Sequence, residues 1–210
     1  MTFLTTESVR KFKKPVSKLQ RKVFPEVVVL TVNSNKPYQF GAGEFSSVSE
    51  RIVSDLVAND VGFVTTVPCK QLAGVIDAID SDKAIMHVPS NKEDEGMGLC
   101  AGAWMGGTRP AIIMQNTAIG VTINSLVTLT QYYRMPLPML ISYRGEVGEP
   151  VACQVEMAVH TKALLAQLNI PTYHFHHEDD VAELDGILKH TFMCNKPVAV
   201  LTDASFWKGY

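Results

Sequence analysis

The segment AIMHVPSNKEDEGMGLCAGAWMGGTRPAIIMQN, residues 84–116, contains two short apolar runs separated by a stretch that is long enough for a helix. The runs are AIMHVP (84–89) and PAIIMQN (110–116). Short apolar runs with polar or small residues around them are typical of buried strands. A helix between two such strands crosses over the sheet, so that the strands lie parallel. The segment therefore predicts a strand, a helix and a second, parallel strand.

The same alternation recurs outside this segment. Four further apolar runs occupy residues 61–68, 138–144, 171–176 and 197–203, and the stretches between them are also long enough for helices. This pattern predicts an α/β fold, a doubly wound six-stranded parallel sheet with helices on both faces. Ligands of such sheets bind beyond the carboxyl ends of the strands. Polar residues at those ends are therefore the first candidates for a site.

Composition excludes several classes of function. The chain has 210 residues and a formal net charge of -2, which predicts no nucleic-acid partner. No apolar run approaches the roughly 18 to 20 residues that span a bilayer, so we expect no membrane partner and a cytoplasmic location. Residues 1–44 hold eight of the nineteen basic residues and are expected to form a flexible basic extension before one folded domain at 45–210.

Cysteine usage predicts reduced, mostly buried thiols. The chain has four cysteines without a CxxC pair, so we expect no zinc site from them. They are Cys69, Cys100, Cys153 and Cys194.

Residues 96–101, GMGLCA, match the GxGxxG/A dinucleotide fingerprint. That fingerprint must turn straight out of a strand, with helix N–H groups facing a pyrophosphate. Here the preceding run ends at Pro89, and the acids of residues 93–95 would place negative charge where the anion binds. Nucleotide binding is therefore not predicted. The small residues instead predict a helix surface that another helix can approach closely; they are Gly98, Ala101, Gly102 and Ala103.

An acid at a strand end, a glycine nine residues later in a small-residue helix, and a following strand that ends in MQN resemble the pyrimidine-binding domain of thiamine-diphosphate (ThDP) enzymes. More narrowly, five blocks resemble the alpha subunits of sulfopyruvate decarboxylases, with phosphonopyruvate decarboxylases as the next nearest relatives. The blocks are VPCKQL (67–72), EDEGMGLCAGAWMGG (93–107), MQNTAIG (114–120), MPLPMLISYRG (135–145) and PVAVLTD (197–203). The resemblance covers about residues 45–205.

The resemblance assigns Glu93 to the family's glutamate, which binds the aminopyrimidine ring of ThDP, and so makes it the expected catalytic and cofactor-binding residue. For Asp94 and Glu95 the ordinary explanation is preferred, since carboxylates stabilise the first turn of a helix. The sequence has no GDG motif, through which the family holds Mg²⁺ and diphosphate. The resemblance therefore implies a beta subunit that carries this motif and most of the Mg²⁺ site, in a hetero-oligomer.

The remaining candidates each have an alternative. Gln115 and Asn116 are expected to face cofactor or substrate, or else to bind backbone groups. Lys70 is expected to bind a substrate anion, or to be an exposed lysine at a helix start. Arg144 is expected to clamp an anion, or to form a surface ion pair.

Three histidines, His174, His176 and His177, end the fifth apolar run. Alternate residues of a strand share one face, so metal ligation is conceivable. A strand end before an acidic helix start is the preferred interpretation, and no metal site is predicted.

From the resemblance we expect a ThDP-dependent carboxy-lyase subunit. The expected reaction converts a small anionic 2-oxo acid, 3-sulfopyruvate, to sulfoacetaldehyde and CO2 in coenzyme M biosynthesis. Two alternatives remain open. One is a phosphonopyruvate-type decarboxylase subunit, and the other is a non-catalytic interaction subunit of a ThDP enzyme.

Overall fold

The computed structural model describes residues 46–147 and 149–207. The expected extension at residues 1–44 lies outside them. Six strands all pair in parallel, in the order β2-β1-β3-β4-β6-β5. They are β1 (Val61–Thr66), β2 (Met86–Pro89), β3 (Arg109–Gln115), β4 (Leu137–Ser142), β5 (Thr172–Phe175) and β6 (Pro197–Thr202). Each predicted run contributes one strand, so the predicted sheet is confirmed.

Helices alternate with the strands. The α-helices are α1 (Ser46–Ala58), α2 (Ala73–Ser81), α3 (Glu93–Met105), α4 (Ile119–Ser125), α5 (Ala152–Gln167) and α6 (Leu184–Cys194). Short 3-10 helices occupy Lys70–Leu72, Asn116–Ala118 and Glu178–Glu183, and a π-helix (Leu126–Gln131) extends α4. None of the helices in the described ranges is long and apolar enough to cross a membrane.

The sheet separates two apolar cores. One core includes residues of α1, α2 and α6, and the other includes residues of α3, α4 and α5. Alternation along β3 explains the division, since Ala111 and Ile113 face the first core while Ile112 and Met114 face the second. The four inner strands, β1, β3, β4 and β6, are buried on both faces, which explains why their sequences are almost continuously apolar.

The start of α3 packs tightly on the sheet because residue 96 is glycine. A Cβ at this position would lie 3.0 Å from Ser90 Oγ, 3.1 Å from Ile112 Cδ1 and 3.2 Å from Thr65 Cγ2. These distances are shorter than ordinary van der Waals contact. Gly96 therefore lets the first turn of α3 lie against the carboxyl ends of β1 and β2.

Strand order places a crevice beside β1. After β1 the chain forms β2 on one side, and it then forms β3 on the other side of β1. The β2–β3 connection thus passes back across β1, and the topological switch point at which doubly wound sheets bind ligands lies between β1 and β3. The candidates Lys70, Glu93 and Asn116 follow β1, β2 and β3, and Gln115 is the last residue of β3.

The four cysteines are all free thiols. Cys69 and Cys100 are buried as expected, and burial raises the pKa of the Cys100 thiol well above its ordinary value. The expectation of burial was wrong for Cys153 and Cys194, which are exposed. These two lie on outward-facing turns of α5 and α6, where a small thiol needs no apolar neighbour.

Candidate functional site

Glu93 is the first residue of α3, and three residues separate it from Pro89, the last residue of β2. Its side chain is half-buried. Within residues 46–147 and 149–207, its carboxylate has no hydrogen-bond or ion-pair partner. A carboxylate that is partly withdrawn from water and uncommitted to its own chain can bind a donor supplied by a ligand.

The two following acids are placed differently. Asp94 Oδ1 accepts a hydrogen bond from the backbone N–H of Glu95 at 3.0 Å. Glu95 Oε2 accepts one from the backbone N–H of Asn91 at 3.1 Å. Both exposed carboxylates therefore satisfy N–H groups at the start of α3, where the helix dipole also favours them. This geometry agrees with the preferred explanation for Asp94 and Glu95, that they stabilise the first turn of a helix.

The outward face of α3 is smooth and open. A Cβ added at Gly98 or at Gly102 would meet no atom within 4 Å. One turn beyond Gly102, the Met105 side chain is 63% exposed. Ala101 points the other way and is buried in the core. The predicted smooth surface therefore includes Gly98 and Gly102 but not Ala101, for which the prediction was wrong because its side chain packs in the core.

Asn116 joins the ends of two strands. Its Nδ2 donates to the backbone carbonyl of Arg144 at 2.9 Å, and its Oδ1 accepts from the backbone N–H of Arg144 at 3.1 Å. Nδ2 also lies 3.3 Å from Thr161 Oγ1. Asn116 is fully buried, so these contacts support the backbone-binding alternative. Its amide fixes the segment that follows β4 and is not presented to a ligand.

Gln115 lies in a small polar cluster at the ends of three strands. Its Nε2 donates to Thr117 Oγ1 at 2.9 Å, and its Oε1 accepts from the Cys69 thiol at 3.6 Å. The same thiol lies 3.1 Å from Ser142 Oγ. Gln115 remains partly exposed. Lys70 is exposed at the start of the 3-10 helix directly after Cys69, so both predicted residues lie near the crevice.

Arg144 is committed to an ion pair within its own loop. Its Nε and Nη2 donate to Glu149 Oε2 and Oε1, each at 2.7 Å, and both side chains are 5% exposed. Glu149 also accepts from the backbone N–H groups of Gly145 and Val151, each at 3.1 Å. The hydrogen bond from Arg144 holds the pKa of Glu149 below its usual value.

This geometry corrects both predictions for Arg144. The guanidinium already holds a carboxylate bidentately, so it is not presented to a substrate anion. The ion pair is also buried, whereas the alternative expected a surface pair. Arg144 and Glu149 instead fix the conformation of the loop between β4 and α5.

One interaction at the end of β1 was missed by the sequence analysis. The Thr66 hydroxyl lies 2.8 Å from Nε2 of His87, and the other ring nitrogen of His87 contacts the Asp80 carboxylate. This chain of contacts orients a buried hydroxyl at the switch point. Its members come from β1, β2 and α2, so only the pairing of β1 with β2 could have indicated it.

The strand-end histidines divide into two groups. His174 lies in β5 and His176 directly follows it, and both side chains approach Asp203, which directly follows the adjacent β6. Burial, with the nearby charges of Lys162 and His176, lowers the pKa of His174 to about 4. His177 instead begins the next 3-10 helix. The sequence identified the shared face of the two histidines, but it did not identify Asp203 as their partner.

Comparison with known proteins shows sequence similarity to decarboxylases. No family model matches the chain. The chain is 35% identical over 163 residues to sulfopyruvate decarboxylase subunit alpha of Methanococcus maripaludis, covering 77% of this chain and 98% of that protein. It is 38% identical to the subunit of that name from Methanothermobacter thermautotrophicus, with 76% and 97% covered. Phosphonopyruvate decarboxylase of Streptomyces viridochromogenes is 37% identical over 100 residues, which are 46% of this chain and 25% of that enzyme.

A solved structure shares the fold. The chain superposes on 2-oxoglutarate:ferredoxin oxidoreductase from Magnetococcus marinus with a TM-score of 0.59 and 13% sequence identity. The match covers 75% of this chain and 29% of that one. At this identity the likeness concerns the fold alone.

Proposed function

Because the chain belongs to the family of sulfopyruvate decarboxylase alpha subunits, we propose that it supplies the pyrimidine-binding half of a ThDP-dependent decarboxylase that acts on 3-sulfopyruvate. The family is one of decarboxylases, and the chain is accordingly a carboxy-lyase subunit. The products are sulfoacetaldehyde and CO2, and the reaction belongs to coenzyme M biosynthesis. The observation that carries the proposal is the uncommitted, half-buried carboxylate of Glu93 at the start of α3.

The residues at the crevice fit ThDP. Glu93 lies beside an open helix face, and its carboxylate has no partner among the described residues. It is therefore suited to hold a proton at a ring nitrogen of the aminopyrimidine. When bound, ThDP supplies an electron sink for the electron pair released as CO2 leaves.

Two other residues of the crevice, Gln115 and Lys70, would orient the ligand and attract the anionic substrate. The partly exposed amide of Gln115 is held by Thr117 and Cys69, so it can orient a ligand without rearranging. The exposed ammonium of Lys70 would attract the sulfonate or the carboxylate of the substrate. Asn116 and Arg144 hold the backbone beneath these groups, and we do not assign them ligand contacts.

A beta subunit completes the proposed site. The relatives are named as alpha subunits, which supports a partner chain. We propose that the partner carries the GDG-type motif for Mg²⁺ and diphosphate, because this sequence contains none. The smooth face of α3 around Gly98 and Gly102 is the surface that we assign to the partner.

The test is CO2 release from 3-sulfopyruvate with ThDP and Mg²⁺. The full chain is assayed alone and after co-purification with a partner that contains the GDG motif, and 3-phosphonopyruvate serves as the competing substrate. We expect activity only when the partner is present, and a higher rate with 3-sulfopyruvate than with 3-phosphonopyruvate. Preference for 3-phosphonopyruvate would replace the proposed substrate. A folded complex that decarboxylates neither acid would contradict the proposed reaction.

A further inference from the structure

The carboxyl ends of β5 and β6 bring three potential metal ligands together. One atom from each of His174, His176 and Asp203 lies within 4.8 Å of the others. Nδ1 of His176 is 2.5 Å from Asp203 Oδ2, and Nε2 of His174 is 3.4 Å from the same oxygen. The two imidazole rings are 3.9 Å apart between centroids. Three donor atoms therefore surround one point, at the opposite edge of the sheet from Glu93.

The carboxylate is held in place by donors on its other side. Asp203 Oδ1 accepts hydrogen bonds from the backbone N–H of Ser205 at 3.0 Å, the Ser205 hydroxyl at 2.6 Å and the backbone N–H of Phe206 at 3.1 Å. The Asp203 side chain is only 4% exposed. Because Oδ1 is fully used, Oδ2 is left to face the histidines. Hydrogen bonds of this kind orient the ligands of metal sites.

His174 is oriented towards the same point. Its Nε2 is buried and makes no hydrogen bond in the described part of the chain. The His174 side chain is 13% exposed, whereas the His176 side chain is 52% exposed. Nε2 lies 3.4 Å from Asp203 Oδ2 without a hydrogen bond between them, and a cation bound by both atoms would satisfy both.

We propose that His174, His176 and Asp203 form a binding site for a divalent transition-metal cation, with Zn²⁺ as the preferred ion. Two imidazoles and one carboxylate are a common three-ligand set for Zn²⁺, and a water molecule takes the fourth position. The half-exposed His176 ring places that fourth position towards solvent. The cation ties the end of β5 to the end of β6 and to the backbone turn at 203–206.

Both histidines can bind the cation by moving their ring proton to the other ring nitrogen, so no base is needed to remove a proton. Lys162 Nζ donates to His174 Nδ1 at 2.9 Å, so without metal the His174 proton resides on Nε2. On metal binding this proton transfers to Nδ1, and the proton of His176 moves from Nδ1 to its outer nitrogen. Lys162 then loses its acceptor and turns into solvent, which its exposed position allows. Lys162 therefore opposes metal binding.

The experiment titrates the full-length, chelator-treated chain with Co²⁺, followed by its visible absorption, and then displaces Co²⁺ with Zn²⁺. One cation per chain is expected. His176→Ala should weaken the affinity by more than about 100-fold, because outer-shell changes alone cost 10–100-fold. Lys162→Met should tighten binding about tenfold, because it removes a positive charge within several ångströms of the bound cation and the donor that competes for His174. Added Zn²⁺ should raise the melting temperature of the wild-type chain but not that of His176→Ala.

Two histidine variants serve as controls. His160 is exposed on α5, and His190 lies 3.5 Å from Cys194, so that these two side chains are a separate pair of potential metal ligands. His160→Ala and His190→Ala should both leave the affinity unchanged. The proposal is overturned if Co²⁺ does not bind, if binding survives His176→Ala or is lost in His190→Ala, or if Lys162→Met fails to tighten it.

Discussion

Two glycines on α3, two residues apart, should respond to alanine in opposite directions. At Gly96 a new Cβ would lie 3.0 to 3.2 Å from three side-chain atoms, whereas at Gly98 it would meet nothing within 4 Å. Overpacking of a core costs about 1–3 kcal/mol. Replacing glycine by alanine inside a helix stabilises by roughly 0.5–1 kcal/mol. Gly96→Ala should therefore lower the free energy of unfolding by about 0–2.5 kcal/mol, and Gly98→Ala should raise it by about 0.5–1 kcal/mol.

The assay is urea denaturation of the full-length chain and of both variants under identical conditions. Far-ultraviolet circular dichroism gives the unfolding midpoint, and an unchanged slope shows that the exposed area is comparable. Because both substitutions make the same chemical change, their difference isolates packing against the sheet. Equal midpoints for the two variants, or a more stable Gly96→Ala, would refute the placement of α3.

Three further predictions concern the interior and the loop after β4. Asn116→Ala removes both hydrogen bonds to the Arg144 backbone, so two buried groups lose their partners. It should lower the free energy of unfolding by about 2–5 kcal/mol in urea denaturation. A change within about 0.5 kcal/mol, as expected for the exposed control Thr128→Ala, would contradict this. The pKa of Glu149 is lower in the folded chain, so its contribution to stability is present above about pH 4.5 and is lost as the pH falls through the folded pKa. The difference in free energy of unfolding between wild type and Glu149→Gln should therefore shrink on acidification. A difference that stays constant with pH would argue against the ion pair. A thiol reagent under native conditions should modify only the two exposed cysteines, Cys153 and Cys194. Rapid modification of all four would contradict the burial of Cys69 and Cys100.

The sequence was sufficient to predict the sheet because parallel strands are covered on both faces. Runs such as PAIIM (110–114) must then be apolar at every position, which makes them visible without knowledge of their neighbours. The explanation of Asp94 and Glu95 also follows from local position, since carboxylates stabilise a helix start, whereas Glu93 was singled out by the resemblance to ThDP enzymes.

Contacts that depend on how a loop folds or on which strands are adjacent were not predictable in the same way. The partner of Arg144 depends on how a loop folds back, and Glu149 is only five residues away. Asp203 meets His174 and His176 because β5 and β6 are adjacent although α6 separates them in the chain. Asn116 was placed correctly at a strand end, but whether its amide faced a ligand or a backbone depended on the path of β4.

The most direct measurement is CO2 release from 3-sulfopyruvate by the assembled complex carrying Glu93→Gln. The substitution keeps the size of the side chain and removes its negative charge. Activity should fall by about 100-fold or more, the usual contribution of a proton-transferring group, while the mass of the complex stays that of the wild type. Unchanged activity in an intact complex would contradict the assignment of Glu93 and would favour a non-catalytic interaction subunit.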